Sequence, residues 1–430
     1  MPDQEETHGM ASEATLPRPA EPRASFLAPF GNRSYRVMFP ADLLTSWAFE
    51  METLILGWYI LVETQSVVWL TVFGSLQFLG TLIAPLYGVG CDRIGARNML
   101  CLMRGLYVAQ AGLLAAFALT GVITPIHVVC IAVVMGLVRP CDLAVRNTLI
   151  GGLMPPAQLM AAVSISRTTM DSARIMGALA GAGVFALLGM GLAYTLIAGL
   201  YLVSLGLTLC IANPPRARAE AQASPFREVW EGLGYVAATP RLLAAMVIAF
   251  LVNFCAFPLS GGLLPYVARD IYGMGQAGLG LLAAGFASGG LAGSLLLGTV
   301  GRGIPAGRVM IGFTFVWYGM LLLYSNASVP QLGIPLLVAA GFVQSFSMVP
   351  MAVMLLRSTE PRFRGRVMGV RMLAVYSLPL GLLLAGWMIA KFGFVATANA
   401  YCLFGLLATG AIALVWRRHL LPLSAPANAR

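Results

Sequence analysis

The sequence predicts an all-α polytopic membrane protein with about twelve transmembrane helices, and two observations lead to that fold class. Hydrophobic residues make up 59% of the chain and charged residues only 10%, which is far from the composition of a water-soluble domain. About twelve apolar runs approach the roughly 20 residues that a helix needs to cross a bilayer. Because a polar segment follows the sixth run, we expect two pseudo-symmetric bundles of six helices each.

The apolar runs follow one another with short connections within each half. They lie near residues 36–61, 68–88, 99–121, 125–148, 161–187, 191–212, 241–268, 275–299, 307–327, 332–356, 367–390 and 395–416. Residues 1–33 are polar and proline-rich, which is typical of a disordered tail and not of a signal peptide. We therefore expect an N-terminal bundle over 34–212, a central cytoplasmic loop over 213–240, a C-terminal bundle over 241–416 and a second tail over 417–430.

Positive charge is concentrated on alternate loops. The chain has 27 basic and 17 acidic residues, a net charge of +10. Arg93, Arg97 and Arg104 lie at the connection between spans two and three, and Arg364 and Arg366 lie between spans ten and eleven. By the positive-inside rule these loops and both termini are cytoplasmic. The arginines are scattered and lack interleaved aromatics, which argues against nucleic acid as a partner.

Carboxylates inside the first span are the strongest functional signal. Asp42, Ser46 and Glu50 recur every four residues and share one stripe of a helix, whereas Glu52 points to another side. A charge at the bilayer centre costs about 2.5–3.5 kcal/mol on insertion scales, so such residues usually face a bundle interior or a wet cavity. Burial favours the protonated carboxyl group, which is the physical basis of proton coupling. Glu50 is the first candidate for the proton carrier, before Glu52 and Asp42, and a packing acid satisfied by an arginine is the alternative.

Spans four and five each carry three charged residues on one helix face. These residues are Arg139, Asp142 and Arg146 in span four and Arg167, Asp171 and Arg174 in span five. One interpretation is a salt-bridge network that braces a gate in the first bundle. The other is a substrate cavity in which Arg139 and Arg174, the deepest basic groups, bind an anion beside Asp142 and Asp171. Both interpretations can hold, because a rocking transporter can use gate charges at its binding site.

Polar residues of the second half complete the predicted substrate cavity. Asn253 lies in span seven and Gln344 in span ten, and Arg371 and Tyr376 in span eleven are further candidates. Polar groups inside spans often line a cavity in transporters. Packing between helices is the alternative for each of them.

A glycine- and arginine-rich turn follows the second span. Its characteristic members are Gly88, Asp92, Arg93, Gly95 and Arg97. A tight turn between helix ends needs glycine for close approach and positive φ, and Asp92 can lie against a helix N-terminus or an arginine of the other half. The spacing and position resemble the GxxxDRxGRR signature of the major facilitator superfamily, with Ala96 where arginine is common.

A second turn, before span eleven, is similar to the PxxxRGRVxG loop of the enterobactin-exporter and macrolide-efflux branch of that superfamily. It contains Arg364, Gly365 and Arg366. The resemblance implies a monomer whose two halves rock between inward-open and outward-open states, with both turns in the cytoplasmic gate. Many antiporters of the superfamily carry GPxxGG in span five, whereas the matching stretch here, which begins at Gly177, lacks the proline and so counts against export.

The residue types argue against an enzyme. His8 and His419 lie in the tails and His127 lies at a predicted helix end, so no buried histidine–carboxylate pair can be built. No P-loop and no metal-ligand spacing appears in the sequence, and we expect no cofactor and no metal.

The function we expect is secondary active transport by alternating access in a bacterial-type plasma membrane. The main hypothesis is proton-coupled efflux of an amphipathic small molecule such as a drug or a siderophore-like metabolite. An importer or facilitator of a small organic anion is the alternative, and a non-transporting receptor or scaffold is a more remote one. The expected partners are the substrate, protons and the lipid bilayer.

Overall fold

The structure is a computed structural model that describes residues 27–83, 87, 90–91, 93–213, 225–300, 305–360 and 363–420. Within these residues all regular secondary structure is helical. The helices of the first half are α1 (Arg33–Thr64), α2 (Val67–Leu76), α3 (Ala96–Leu119), α4 (Pro125–Leu153) and α5 (Pro156–Leu209). Short 3-10 turns precede α1 (Ala28–Gly31) and follow α2 (Leu79–Ile83).

The second half begins with a short helix and continues with long ones. Its helices are α6 (Pro225–Ala238), α7 (Pro240–Phe257), α8 (Gln276–Val300), α9 (Ala306–Asn326), α10 (Pro330–Arg357), α11 (Arg364–Val375), α12 (Ser377–Phe392), α13 (Phe394–Val415) and α14 (Arg417–Leu420). Further helical turns extend α7 to residue 271. Together α11 and α12 form one span that is interrupted at Tyr376.

Local residue choices explain where the helices begin and end. The Asn32 side chain accepts a hydrogen bond from the Ser34 amide at 2.8 Å and so caps α1. At the other end of α1, Gln65 adopts a left-handed conformation with φ 51°. Gly189, with φ 74° and ψ −179°, divides α5 into two helices, because glycine adopts this conformation without a steric penalty.

Nine helices in the described part of the chain are long and apolar enough to cross a membrane. This number treats α5 as one span, although Gly189 divides it, and leaves out α1 and the shorter helix Val67–Thr81. With these included, the described residues form twelve helical spans. The predicted fold class, an all-α polytopic membrane protein with about twelve spans, is therefore confirmed.

Buried apolar side chains form two clusters, one within the first half and one in the second half that also takes in neighbouring first-half residues such as Trp58 and Ala182. Ile55, Tyr107 and Leu149 are completely buried members of the first cluster. Trp317 and Leu337 are completely buried in the second. Each half thus has a core of its own, as expected when two bundles are built separately.

The helix α6 corrects the prediction of a loop over residues 213–240. Residues 214–224 lie outside the described part of the chain, but α6 occupies most of the remainder. Val236 is buried in the second apolar cluster, and Leu233 packs against the same cluster. Their spacing is helical, yet the surrounding charged residues make the whole segment polar on average, so composition alone predicts a loop.

The spans alternate in direction, so the chain returns to the same end of the molecule after six spans. The Ala212 amide donates to Ser34 Oγ at 3.3 Å, and Arg241 Nε donates to the His419 carbonyl oxygen at 2.9 Å. These contacts bring the first and last residues of each half together. We call this end of the molecule the terminal end and the opposite end the distal end.

Candidate functional site

Hydrogen bonds join the two halves between the middle of the spans and the distal end. In the described residues they run from Arg269 to Leu61 and Gln65, from Ser75 to Pro379 and from Tyr376 to Leu79. Arg269 is the most distal donor, and its Nη1 lies 2.8 Å from the Leu61 carbonyl oxygen. A cation of the second half therefore covers the C-terminal end of α1, where the helix dipole favours positive charge.

Small residues allow the halves to pack tightly near the distal end. A Cβ atom added to Gly386 would lie 2.0 Å from Thr71 Oγ1, and one added to Gly280 would lie 2.4 Å from the Ala182 Cβ. Both distances are far shorter than any van der Waals contact. The distal end is thus closed by contacts that leave no space for a side chain.

A partly exposed group of charges lies on the terminal side of these contacts. Its members, which we call the mid-membrane charge cluster, are Glu50, Arg167, Asp171, Arg174 and Arg371. Arg174 Nε lies 3.9 Å from Glu50 Oε1, and Arg174 Nη1 lies 4.0 Å from Asp171 Oδ1. Arg167 Nε lies 3.8 Å from Asp171 Oδ2. Arg371, on α11 of the other half, lies within electrostatic range of Arg167.

The pair formed by Glu50 and Arg174 is loose and accessible. The Arg174 side chain is 53% exposed and that of Glu50 33% exposed. Long, exposed ion pairs contribute little to stability, so either partner can exchange its counter-charge at low cost. Next to the pair, α5 packs closely against α1, because a Cβ atom added to Gly177 would lie only 2.8 Å from the Glu50 Cβ. Glu50 and Arg174 are therefore both accessible and only weakly paired.

A second set of charges is buried inside the first bundle and consists of Asp42, Arg104, Asp142 and Arg146. Asp42 forms an ion pair with Arg104 and lies 3.5 Å from Arg146 Nε. Arg146 Nη2 lies 2.5 Å from Asp142 Oδ1. The side chains are at most 7% exposed. We call this group the buried ion-pair network.

The buried ion-pair network corrects three predictions. Asp142 does not line a substrate cavity, because its pairing with Arg146 one turn away draws it into the bundle. Asp42 is enclosed by two arginines and does not reach the space between the halves. Arg104 is completely buried in α3 instead of lying on a connecting loop. Asp42 and Ser46 do share a stripe, since Arg146 reaches both of them.

Glu52 is buried on a different side of α1 from Glu50, as the helix period predicts. Gln110 Nε2 donates to its Oε1 at 2.8 Å, and the Tyr201 hydroxyl donates to its Oε2 at 2.9 Å. Glu52 is only 3% exposed. Both carboxylate oxygens have partners from helices of the same bundle, so Glu52 is held in place much more firmly than Glu50.

Arg139 does not join Arg174 in one site. Its Nη1 donates to Thr53 Oγ1 at 2.5 Å and to Gln77 Oε1 at 3.3 Å, and its guanidinium carbon lies 4.4 Å from the centre of the Phe49 ring. The charged residues of spans four and five therefore each contact α1 and do not meet face to face. Arg139 also lines a cavity of about 20 Å³ beside Glu52, with room for about one water molecule.

Of the predicted cavity residues of the second half, Arg371 and Tyr376 interact with the first half, whereas Asn253 and Gln344 are buried or partly buried. Asn253 is 5% exposed, and its Nδ2 donates to the Ala249 carbonyl oxygen of its own helix at 2.8 Å. Gln344 is partly buried on α10, near Gly290 of α8. Contrary to the prediction, the Asn253 side chain is not accessible in this structure, because it is buried and its amide group bonds to its own helix.

The first glycine-rich turn is described in part. Gly88 and Asp92 lie outside the described residues. Gly95 has φ 89°, so the expectation that this turn requires a positive φ is confirmed at that position. Arg93 is exposed, and Arg97 donates to the Leu209 carbonyl oxygen, which ties the turn to the end of α5.

The second turn contacts the central helix. Arg366 Nη1 lies 2.9 Å from Glu231 Oε2 of α6. Gly365 is exposed, and a Cβ atom there would meet no neighbour. The Arg364 side chain lies outside the described part of the structure. Arg366 is thus engaged with its own half of the molecule.

The residues that sequence analysis missed are mostly the partners of the predicted charges. They are Thr53, Gln77, Arg104, Gln110 and Tyr201. The available signal was their polarity within or beside apolar runs, since an isolated Gln or Arg in a span needs a partner. Nothing in one sequence says which partner it finds.

Comparisons with known proteins agree with this architecture. The family model of the Major Facilitator Superfamily matches residues 24–379. Macrolide efflux protein A of Streptococcus pyogenes is 23% identical over 369 residues, which cover 82% of this chain and 87% of that protein.

Solved transporter structures share the fold. One is a bacterial homologue of the human lysosomal transporter Spinster in an inward-facing and unoccupied conformation. Its TM-score is 0.72 at 15% sequence identity, and the alignment covers 92% of this chain and 100% of the homologue. The nucleoside transporter NupG has a TM-score of 0.69 at 13% identity, with 90% and 99% of the two chains covered. The family model spans well over half of the sequence, and the protein therefore belongs to the major facilitator superfamily as a multi-pass membrane transporter of small molecules, not an enzyme.

Proposed function

We propose that the protein exports an amphipathic small molecule in exchange for protons, and that Glu50 carries the proton. The observation that carries this proposal is the loose pair of Glu50 and Arg174 in the middle of the spans. A carboxylate at this depth is costly to keep charged unless a cation or water reaches it. Glu50 has both, whereas Glu52 and Asp42 are enclosed by fixed partners.

The proposed coupling uses the exchange of partners at Arg174. When Glu50 binds a proton, Arg174 loses one of its two carboxylate neighbours and keeps Asp171. The local charge of the mid-membrane charge cluster then becomes more positive by one unit. A cationic or amphipathic substrate is disfavoured in that state and favoured when Glu50 is ionised, so proton and substrate compete for one site.

Orientation and similarity both support export as the direction of transport. Arginine-rich connections at the terminal end support a cytoplasmic position for that end in a bacterial plasma membrane. The closed distal end then corresponds to a state open to the cytoplasm, with both glycine-rich turns at the cytoplasmic gate. The similarity to macrolide efflux protein A supports export and makes macrolides the first compounds to try.

A small organic anion is the second candidate substrate, and one observation favours it. Three guanidinium groups, of Arg167, Arg174 and Arg371, converge from both halves against two carboxylates. An excess of positive charge in a partly exposed site suits a carboxylate or phosphate. Arg139 is not part of that site, so an importer would bind its anion through Arg174 and its neighbours.

Accumulation in inside-out membrane vesicles separates the two functions. The vesicles are given an acidic interior and are tested with a panel of macrolides, lipophilic cations, siderophores and organic acids. An exporter should concentrate its substrate inside them. Collapse of the proton gradient by an ionophore is the control and should abolish accumulation. Accumulation of an organic anion in right-side-out vesicles with an acidic exterior would instead establish import and contradict export.

A further inference from the structure

We propose that α6 is an interfacial helix whose exposed face, centred on Trp230, lies in the headgroup region of the lipid bilayer. The position of α6 along the chain is the first argument. The helix ends at Ala238, and the membrane-spanning α7 begins at Pro240, so that Thr239 alone separates them. The C-terminal end of α6 therefore lies close to the membrane surface.

One face of α6 is docked on the start of α11. The Tyr235 ring stacks on that of Phe363, with centroids 4.3 Å apart and planes at 11°. Glu231 pairs with Arg366 at 2.9 Å. A Cβ atom on Gly232 would lie 3.1 Å from the Arg366 carbonyl oxygen. These contacts fix the rotation of α6 about its axis and so decide which side chains point away from the protein.

The opposite face is apolar and exposed. Trp230 is 73% exposed. It lies about 160° around the helix from Gly232, given 3.6 residues per turn. Gly234 and Ala237, which follow Trp230 on the same side of the helix, are also exposed, so this part of the face presents one large indole ring next to small residues. An indole combines an apolar body with one N–H donor, which matches the mixed polarity of the headgroup region.

The bilayer is the occupant that the neighbouring surface indicates. The spans next to α6 expose large apolar side chains, among them Phe250 of α7 (46%) and Met372 of α11 (47%). In a membrane protein such side chains face lipid. The exposed face of α6 continues this lipid-facing surface at the terminal end. As a consequence, Trp230 holds the beginning of α11 at a fixed depth in the membrane.

Quenching of tryptophan fluorescence in proteoliposomes tests this proposal. The chain has seven tryptophans, so the Trp230 signal is the difference between the wild type and Trp230→Phe. We expect the fluorescence emission of this difference signal to be blue-shifted relative to indole in water. Lipids spin-labelled at the headgroup should quench it, whereas aqueous iodide should not. Two variants serve as controls. Trp387→Phe removes a 49% exposed tryptophan of a transmembrane helix, whose signal should be quenched from the lipid. Trp317→Phe removes a fully buried tryptophan, whose signal should resist both quenchers.

Two results would overturn the proposal. Loss of the Trp230 signal with iodide, and not with spin-labelled lipid, means that the face points to water. A signal that resists both quenchers, as the Trp317 signal should, means that protein covers the face. Because Trp230 makes no core contact and Phe is a conservative replacement, the variant should fold, and its transport activity provides an independent check of folding.

Discussion

Individual side chains show that membrane-embedded charges of this protein are of two kinds. Asp42 and Asp142 are buried, paired with arginines at short distances and almost unexposed. Glu50 and Arg174 are separated by 3.9 Å and are partly exposed. Removing one partner of a buried pair leaves an uncompensated charge, whereas a loose exposed pair is inexpensive to open. The first kind therefore suits structure, and the second suits a switch.

Replacing Asp42 by Asn tests the structural role of the buried ion-pair network. The change keeps the size of the side chain but leaves Arg104 without its carboxylate, and breaking a buried pair costs about 3–5 kcal/mol. We expect a clear fall in the thermal unfolding midpoint of the purified protein. Glu63→Gln, at an exposed acid of the same helix, is the matched control and should unfold like the wild type. An unchanged midpoint for Asp42→Asn would contradict the account.

The sequence was sufficient to find the charges of the candidate site but not their partners. Helical periodicity correctly separates Glu50 from Glu52, because that depends only on 3.6 residues per turn. The pairing of Asp42 with Arg104 depends on how α1 packs against α3, which periodicity does not encode. Hydropathy places Arg104 near the edge of a span, where arginine is common, and so hides a completely buried residue.

At the scale of elements, the long apolar helices were predictable and the short ones were not. The spans follow from apolar runs alone, and Gly189 divides α5 between two predicted spans. Sequence patterns do not reveal α6 because charged residues among its apolar ones make the segment polar on average. Contacts of Tyr235 and Gly232 with the start of α11 stabilise it, and these are tertiary.

Gly386 on α12 provides a test of how the elements close the distal end. Gly386→Ala would force α12 away from α2, since the new Cβ would lie 2.0 Å from Thr71 Oγ1. Overpacking of this kind costs about 1–3 kcal/mol, enough to raise the population of open distal states by a factor of about 5 to about 150. A cysteine introduced at Ser66 should then react faster with a membrane-impermeant maleimide than the same cysteine in the protein with Gly386 intact. Labelling of the protein without the Ser66→Cys change gives the background from the native cysteines.

Gly369→Ala is the matched control for this experiment. Gly369 belongs to the same span, but a Cβ atom there meets no neighbour within 4 Å. It should therefore leave the labelling rate at the Ser66→Cys position unchanged. Equal rates in the Gly386→Ala and Gly369→Ala proteins would mean that the glycine contact does not hold the halves together.

The whole molecule consists of two six-helix halves that touch from the middle of the spans to the distal end. The mid-membrane charge cluster lies just beyond the last of these contacts and draws residues from both halves. Its electrostatic balance therefore depends on how the halves are arranged, and under the proposed coupling a proton bound there would shift that arrangement by mass action. In this account a change at Glu50 acts on the whole molecule.

The most direct test of the account is substrate-induced proton movement in proteoliposomes, compared between the wild type and Glu50→Gln. We expect Glu50→Gln to bind substrate but to move no protons with it. Glu63→Gln, which removes an exposed acid of α1, should move protons normally. Unchanged coupled proton flux in Glu50→Gln would contradict the central claim and transfer the role of proton carrier to Glu52 or Asp171.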